Sequence, residues 1–116
     1  MDHDKRASIV AAIALIYRGH VMNIYDYGRG KYHIINAHIT GRNISVYDYS
    51  RHGYLMGTIP NLYDYPTGAY ISININGNHF NGFDYHTGTY FNGTVSGAMV
   101  SIYDGDLVSF FNYGIS

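Results

Sequence analysis

Apolar and polar residues alternate along most of residues 19–116. In residues 71–76, for example, isoleucine occupies every second position, with Ser or Asn between. Successive side chains of a β-strand point to opposite faces, so this alternation predicts strands with one buried and one solvated face. Ser8 to Tyr17 differs, because it is a mainly Ala and Ile run without alternation. It predicts a buried helix over residues 5–18, which Gly19 ends.

The alternating region contains five copies of one unit, each marked by an aromatic residue, then Asp, then Tyr (Gly in the last copy). A second aromatic residue follows seven positions after the first in every copy. The two positions are Tyr25 and Tyr32, Tyr47 and Tyr54, Tyr63 and Tyr70, Phe83 and Tyr90, and Tyr103 and Phe110. Such a constant spacing predicts one β-hairpin per copy.

The spacing also predicts the connections. If Tyr65 faces Tyr70, the loop between them is the four residues 66–69, and the same rule pairs Tyr27 with Tyr32. Equivalent pairs are Tyr49 with Tyr54 and Tyr85 with Tyr90. Between copies, two-residue turns are predicted at Gly41-Arg42, Pro60-Asn61, Gly77-Asn78 and Gly97-Ala98. Gly at the first turn position indicates a type II′ turn, although Pro60 departs from that pattern.

Together these features predict a mainly β fold in a single domain, residues 1–116: about ten antiparallel strands in a meander, with the helix over residues 5–18 and the hairpins over residues 19–116. Closure into a barrel, or strong curvature, would protect the edges of so large a sheet, with the helix on or in its apolar face. Gly57, Gly82 and Gly93 fall on that face and leave space there. The predicted apolar face comprises Met22, Ile24, Ile35, Ile39, Ile44, Val46, Leu55, Ile59, Leu62, Ile71, Ile73, Ile75, Phe80, Phe91, Val95, Val100, Ile102, Phe111 and Ile115.

Composition excludes several functional classes. Seven Lys and Arg against eight Asp give a net charge of −1, so the chain lacks the basic surface that nucleic-acid binding needs. Without cysteine, neither disulfides nor thiolate metal ligands are available. The apolar run is too short for a transmembrane segment, which takes about 20 residues, and it does not resemble a signal peptide, so a cytoplasmic location is the default expectation. The charged fraction of only 13% predicts a homo-oligomer.

The repeated aspartates are the first candidates for chemistry: Asp26, Asp48, Asp64, Asp84 and Asp104. A ring of carboxylates is suited to Ca²⁺, which binds six to eight oxygens. Their recurrence in every copy favours a structural role instead, in which each Asp accepts hydrogen bonds from its loop backbone. No zinc-binding spacing of histidines, nucleotide-binding loop or catalytic motif is present, so we predict no cofactor, no metal site and no catalytic residues.

The tyrosines are the second candidates, and they are predicted to cluster on the polar face near the four-residue loops. Cross-strand pairing accounts for such rings structurally, whereas an exposed aromatic surface is suited to binding sugars or a partner protein. The candidate binding residues are Tyr27, Tyr32, Tyr49, Tyr54, Tyr65, Tyr70, Tyr85 and Tyr90, together with His33 and Asp26. The last two are predicted to face each other across the first hairpin, as a hydrogen-bonded pair or as part of an interior site.

The tandem Tyr-Asp-Tyr steps after a short apolar segment, with Thr67-Gly68 and Thr87-Gly88, resemble small bacterial proteins of unknown function. They are also loosely similar to β-flower domains, which have four repeats rather than five and different signature residues. This resemblance implies no activity. The sequence therefore leaves three hypotheses: a non-enzymatic binding or assembly module that uses the tyrosines, a lectin-like protein, and a small-ligand carrier or enzyme with an interior site near His33 and Asp26.

Overall fold

The computed structural model describes residues 1–116. Helix α1 spans His3–Arg18 and so begins slightly before the predicted residue 5. Asp2 caps its start by accepting a hydrogen bond of 2.8 Å from the backbone N–H of Lys5. Gly19 ends the helix as predicted, and it adopts the left-handed conformation with φ at 76°. Residues 7–15 are fully buried around the whole circumference of the helix, as expected for a helix without a polar face.

Eleven antiparallel strands form one sheet. They are β1 Ile24–Asp26, β2 Lys31–His33, β3 Ile35–Thr40, β4 Asn43–Asp48, β5 Gly53–Thr58, β6 Asn61–Asp64, β7 Ala69–Asn76, β8 His79–Asp84, β9 Thr89–Ser96, β10 Met99–Asp104 and β11 Ser109–Ile115. Their spatial order is β2-β1-β11-β10-β9-β8-β7-β6-β5-β4-β3. Because the first hairpin pairs with the last strand, the sheet curls into a nearly closed barrel around α1. The predicted mainly β meander with an N-terminal helix on its apolar face is confirmed.

The sheet has eleven strands rather than ten because the second strand of the first copy is interrupted at Ile34. Before that residue, β2 pairs with β1, and after it, β3 pairs with β4. The side chain of Ile34 is exposed, and its carbonyl accepts a hydrogen bond from the backbone N–H of Tyr49. The chain therefore changes neighbours at the point where the barrel closes, which leaves a seam between β2 and β3.

The long loops contain four residues, as predicted, but each begins one residue earlier. Tyr70 pairs with Tyr63 rather than Tyr65, and Tyr32 pairs with Tyr25. The same shift applies to the Tyr54 and Tyr90 pairs, which are with Tyr47 and Phe83. The cause is the last loop residue, which adopts a positive φ and is glycine in three of the five copies. A shift by one residue at both ends of a loop keeps every side chain on its predicted face.

Two non-glycine residues hold this left-handed position. His52 has φ of 53° and Val108 has φ of 54°, whereas the equivalents in the other copies are Gly30, Gly68 and Gly88. The left-handed conformation costs an L-residue about 1–2 kcal/mol, and a β-branched side chain tolerates it least. Val108 is therefore a strained position in a loop that glycine would relax.

The short turns follow the prediction at three of four junctions. Gly41, Gly77 and Gly97 take positive φ at the first turn position, and the residues after them do not, which fits a type II′ turn. At the second junction, the predicted position of the turn is wrong by one residue. Thr58 pairs with Asn61, so the turn is Ile59-Pro60 and Asn61 joins the ladder instead.

The predicted faces are largely confirmed, with inward side chains such as Ile44, Leu55 and Phe91 fully or almost fully buried. The prediction that Met22 lies on the apolar face is wrong, since its side chain is 74% exposed. The backbone N–H groups of Met22 and Asn23 both donate to the carbonyl of Ser116, so this segment does not follow strand alternation.

Space on the inner face is filled by reciprocal pairs of Phe and Gly. Phe80 lies opposite Gly93, and Phe91 lies opposite Gly82, on the paired strands β8 and β9. A Cβ at Gly93 would lie 2.6 Å from Cζ of Phe80, and one at Gly82 would lie 2.3 Å from Cζ of Phe91. The predicted space at these glycines is therefore occupied by the two phenyl rings.

Candidate functional site

The repeated aspartates lie inside the barrel at the end that holds the long loops, and each is at most 1% exposed. Four of them accept hydrogen bonds from loop backbone N–H groups. The bonds run from Arg29 to Asp26, from Ser50 and Arg51 to Asp48, from His86 to Asp84, and from Asp106 and Leu107 to Asp104. Asp64 is the exception, because Pro66 in its loop has no N–H, and it bonds instead to the Thr67 hydroxyl and to Arg51. The predicted structural role is confirmed for four of the five aspartates.

Cations from the helix and the loops neutralise this aspartate ring. Lys5 Nζ lies 2.7 Å from Asp84, and Arg6 Nη1 lies 3.2 Å from Asp104. Arg29 and Arg51 bind the aspartates of their own loops, Asp26 and Asp48, and Arg51 also binds Asp64. The amino group of Met1 lies 3.2 Å from Asp104.

Lys5 and Arg6 are 2% and 0% exposed, so these two charges are buried together with the carboxylates. The burial of Lys5 and Arg6 was not predicted from the sequence, although five aspartates that face inward require cationic partners. No group of three or more His, Asp, Glu or Cys side chains has the geometry of a metal site. Because the ring carboxylates already bind cations and N–H groups, the geometry gives the calcium hypothesis no support.

The predicted contact between His33 and Asp26 is wrong. The observed register pairs Asp26 with Lys31, and it places His33 opposite Ile24. His33 is buried, with Nε2 3.1 Å from Asp48 Oδ1 and Nδ1 3.5 Å from Asp4 Oδ1. The approach to Asp48 is close but does not form a hydrogen bond. His33 therefore lies against the aspartate ring at the seam rather than against the aspartate of its own hairpin.

Two ring carboxylates have a lowered pKa. Burial opposes ionisation of Asp48, but His33, the Ser8 hydroxyl and Arg51 outweigh it and hold the pKa of this carboxyl below its usual value. At Asp26, burial again raises the pKa, but the hydrogen bonds from Arg29 outweigh burial and lower it. Both groups therefore bind protons less readily in the folded chain than in the unfolded chain.

We expect stability to fall in acid for this reason. A carboxyl with a lowered folded-state pKa stabilises the fold above its unfolded value of about 4, and that contribution is lost as the pH falls below it. Urea unfolding followed between pH 7 and pH 2 should show this decline. Asp48→Asn should cost about 2 kcal/mol at pH 7 and should flatten the decline below pH 4. An unchanged acid slope in this variant would contradict the assignment.

Outside the barrel, the motif aromatics form one T-shaped cluster per repeat. In the third repeat, for example, Tyr63 packs edge-on against Tyr65 and Tyr70, with ring centroids 4.8 and 5.0 Å apart. The equivalent clusters are Tyr25 with Tyr27 and Tyr32, Tyr47 with Tyr49 and Tyr54, and Phe83 with Tyr85 and Tyr90. The fifth contains only Tyr103 and Phe110, because Gly105 replaces the flanking tyrosine. We call these five clusters the tyrosine belt.

The belt surrounds the barrel next to the long loops, and its central rings are half-buried. The nine flanking rings are between 43% and 71% exposed: Tyr27, Tyr32, Tyr49, Tyr54, Tyr65, Tyr70, Tyr85, Tyr90 and Phe110. Shallow clefts lie along it. One of about 350 Å³ includes Tyr25, Tyr27 and Tyr32, and one of about 590 Å³ is lined by Asn61, Ala69, Tyr70 and Tyr85. The structure thus brings the eight predicted tyrosines onto one surface, while His33 and Asp26 lie in the interior.

Comparisons with protein-family models, curated proteins and solved structures found no match to this chain. The resemblance to tandem Tyr-Asp-Tyr proteins therefore stays a prediction. The single helix is neither long nor apolar enough to cross a membrane.

Proposed function

We propose that the protein is a non-enzymatic binding and assembly module whose contact surface is the tyrosine belt. The observation that carries this proposal is the set of nine exposed belt rings, each held against a central ring of its own repeat. Aromatic rings are enriched at protein interfaces because they bury a large area and lose little conformational entropy. The T-shaped packing already restricts these rings, so they would lose still less conformational entropy on binding.

The distribution of charge supports a binding role over a catalytic one. The buried Asp, Lys and Arg side chains near α1 are paired with one another. The helix fills the barrel, and none of the surface cavities is lined by His33 or Asp26. An interior ligand site near these two residues therefore receives no support from the packing, whereas the belt is open to a partner.

Removing two belt rings tests the proposal. Tyr85→Ala with Tyr90→Ala should weaken self-association at least about tenfold, equivalent to about 1.4 kcal/mol, as measured by sedimentation velocity over a concentration series. Asn81→Ala with Asn112→Ala is the matched control, because both side chains are exposed on the outer wall outside the belt. Circular dichroism verifies that the variants fold. A wild-type chain that stays monomeric throughout, or equal loss in both variants, would contradict the proposal.

A lectin-like function is the second candidate, favoured by the cleft at Tyr70 and Tyr85. Tyrosine faces stack on sugar rings, and the Asn61 amide in the same cleft is suited to hydroxyl groups. The same double alanine variant separates the two functions. Glycan-array binding by the wild type that disappears in the variant supports a lectin, whereas binding that survives in the variant excludes one based on this cleft.

A further inference from the structure

The fifth long loop has an apolar tip, unlike the other four. Leu107 and Val108 are 48% and 71% exposed, and we call these two side chains the knob. The residues at the two tip positions in the other copies are Arg29-Gly30, Arg51-His52, Thr67-Gly68 and Thr87-Gly88. Four loops thus present polar residues or glycine at the position where the fifth presents Leu and Val.

Folding alone does not account for the knob. Val108 is in the left-handed conformation with φ of 54°, where three other copies have glycine, and its side chain packs against little of the chain. The position is therefore strained without a gain in burial. Strain of this kind, held at an exposed apolar residue, is a feature of contact sites.

An apolar groove lies at the opposite end of the barrel. It has a volume of about 420 Å³, and its lining combines five apolar residues, Ile16, Ile59, Pro60, Ile73 and Ile75, with the polar residues Arg42 and Asn74. Ile59-Pro60 and Arg42 belong to short turns, and Ile16 lies near the end of α1. In this meander all the long loops lie at one end and all the short turns at the other. The knob and this terminal groove therefore face away from each other within one molecule.

Both surfaces are apolar, and each has a charged residue of opposite sign beside it. The knob is convex and apolar, and the groove is concave and lined by isoleucine. Beside the knob, the Asp106 side chain is 40% exposed and also bonds to the amino group of Met1. The groove carries Arg42, whose side chain is exposed and donates to the carbonyl of Ile59. Contact between the two ends would pair an acidic with a basic side chain around an apolar centre.

We propose that the knob of one copy inserts into the terminal groove of a second copy, so that the protein assembles end to end. This contact joins two different surfaces, so it leaves a free knob and a free groove at the ends of every oligomer and allows growth into a chain. It extends the assembly role proposed above but uses no residue of the tyrosine belt, so either interface can fail without the other.

Cysteine pairs test the contact directly, because the chain has no cysteine of its own. Val108→Cys and Ile75→Cys are made as separate proteins, mixed, and joined with a short bis-maleimide. We expect the knob–groove product to dominate, and peptide mass spectrometry identifies it. When both substitutions are in one chain, a ladder of multimers should form instead of an internal link, since the two positions are at opposite ends. Asn112→Cys in place of Ile75→Cys is the control that should give little product.

Products other than the knob–groove link would overturn the proposal. Dominant links between two Val108→Cys chains would indicate a symmetric knob–knob dimer, and equal yields with the Asn112→Cys control would indicate random collision. If the wild type instead sediments with uncharged phosphatidylcholine vesicles and Leu107→Asp does not, the knob binds lipid rather than a second copy.

Val108→Gly provides an independent test. Relief of the left-handed strain should raise the urea midpoint, while loss of the knob side chain should lower the yield of links between Leu107→Cys and Ile75→Cys at least about fivefold. A more stable variant that still links at the wild-type yield would contradict a role for Val108 in assembly. Self-association lost in the belt variant but unchanged in Val108→Gly would support the belt alone.

Discussion

Replacing Lys5 by methionine should lower the free energy of unfolding by about 3–5 kcal/mol, which is the usual result of removing one partner of a buried ion pair. Lys5 Nζ lies 2.7 Å from the Asp84 carboxylate, and the two side chains are 2% and 0% exposed. Without the ammonium group, Asp84 keeps only the backbone N–H of His86 as a hydrogen-bond donor. A buried carboxylate with so few partners must stay ionised at high cost or take up a proton.

Urea unfolding at pH 7 measures this loss, and a second variant separates charge from packing. Lys5→Met with Asp84→Asn should recover a large part of the lost stability, because asparagine still accepts the His86 N–H and carries no charge. Lys31→Met is the matched surface control, since Lys31 is exposed, and it should change stability by less than about 0.5 kcal/mol. Equal losses in the single and the double variant would show that the buried charge is not the cause.

Replacing Gly93 by alanine should also destabilise the fold strongly, by about 3 kcal/mol or more. The added Cβ would lie 1.9 Å from the carbonyl oxygen of Ser101 and 2.6 Å from the Phe80 ring. Backbone of the neighbouring strand β10 cannot move away without breaking its ladder, and the Phe80 ring is almost fully buried. Neither neighbour can therefore move to make room for the added methyl group without a large loss of stability.

Gly97→Ala is the control for this effect. Gly97 lies in a short turn with open space around its Cα, so alanine there meets only the penalty of a positive φ of 58°. We expect a loss of about 1 kcal/mol, clearly smaller than at Gly93. Thermal unfolding followed by circular dichroism compares the two variants. A larger loss at Gly97 would mean that the close Phe and Gly pairs do not limit the packing of the barrel.

Strand number and register were predictable only in part from the repeats. The invariant step from Tyr63 to Tyr70 established the hairpin and the length of its loop, but two pairings of equal parity satisfy the same alternation. The choice between them depends on the backbone conformation of Gly68, and alternation does not report on it. The interruption of the strand at Ile34 could not be predicted from alternation either. It arises because the strand must leave one neighbour and pair with another to close the barrel.

The candidate site divides in the same way. The belt tyrosines were predictable, since an outward position in a strand follows directly from alternation. The partners of the aspartate ring were not. In the sequence, Lys5 and Arg6 look like ordinary charged residues at the start of a helix. They contact Asp84 and Asp104 only because the helix lies inside the barrel. His33 was assigned to Asp26 through a local register, whereas its contact with Asp48 crosses the seam.

The sequence by itself determined five hairpins, the alternation that separates inner from outer side chains, and an apolar helix that needed cover, because these are local properties of spacing and period. Only the tertiary structure decided that the helix lies inside the barrel, that its first turn neutralises buried carboxylates, and that the knob and the groove lie at opposite ends. Those outcomes depend on contacts between residues distant in sequence, and on which strands meet when the sheet closes.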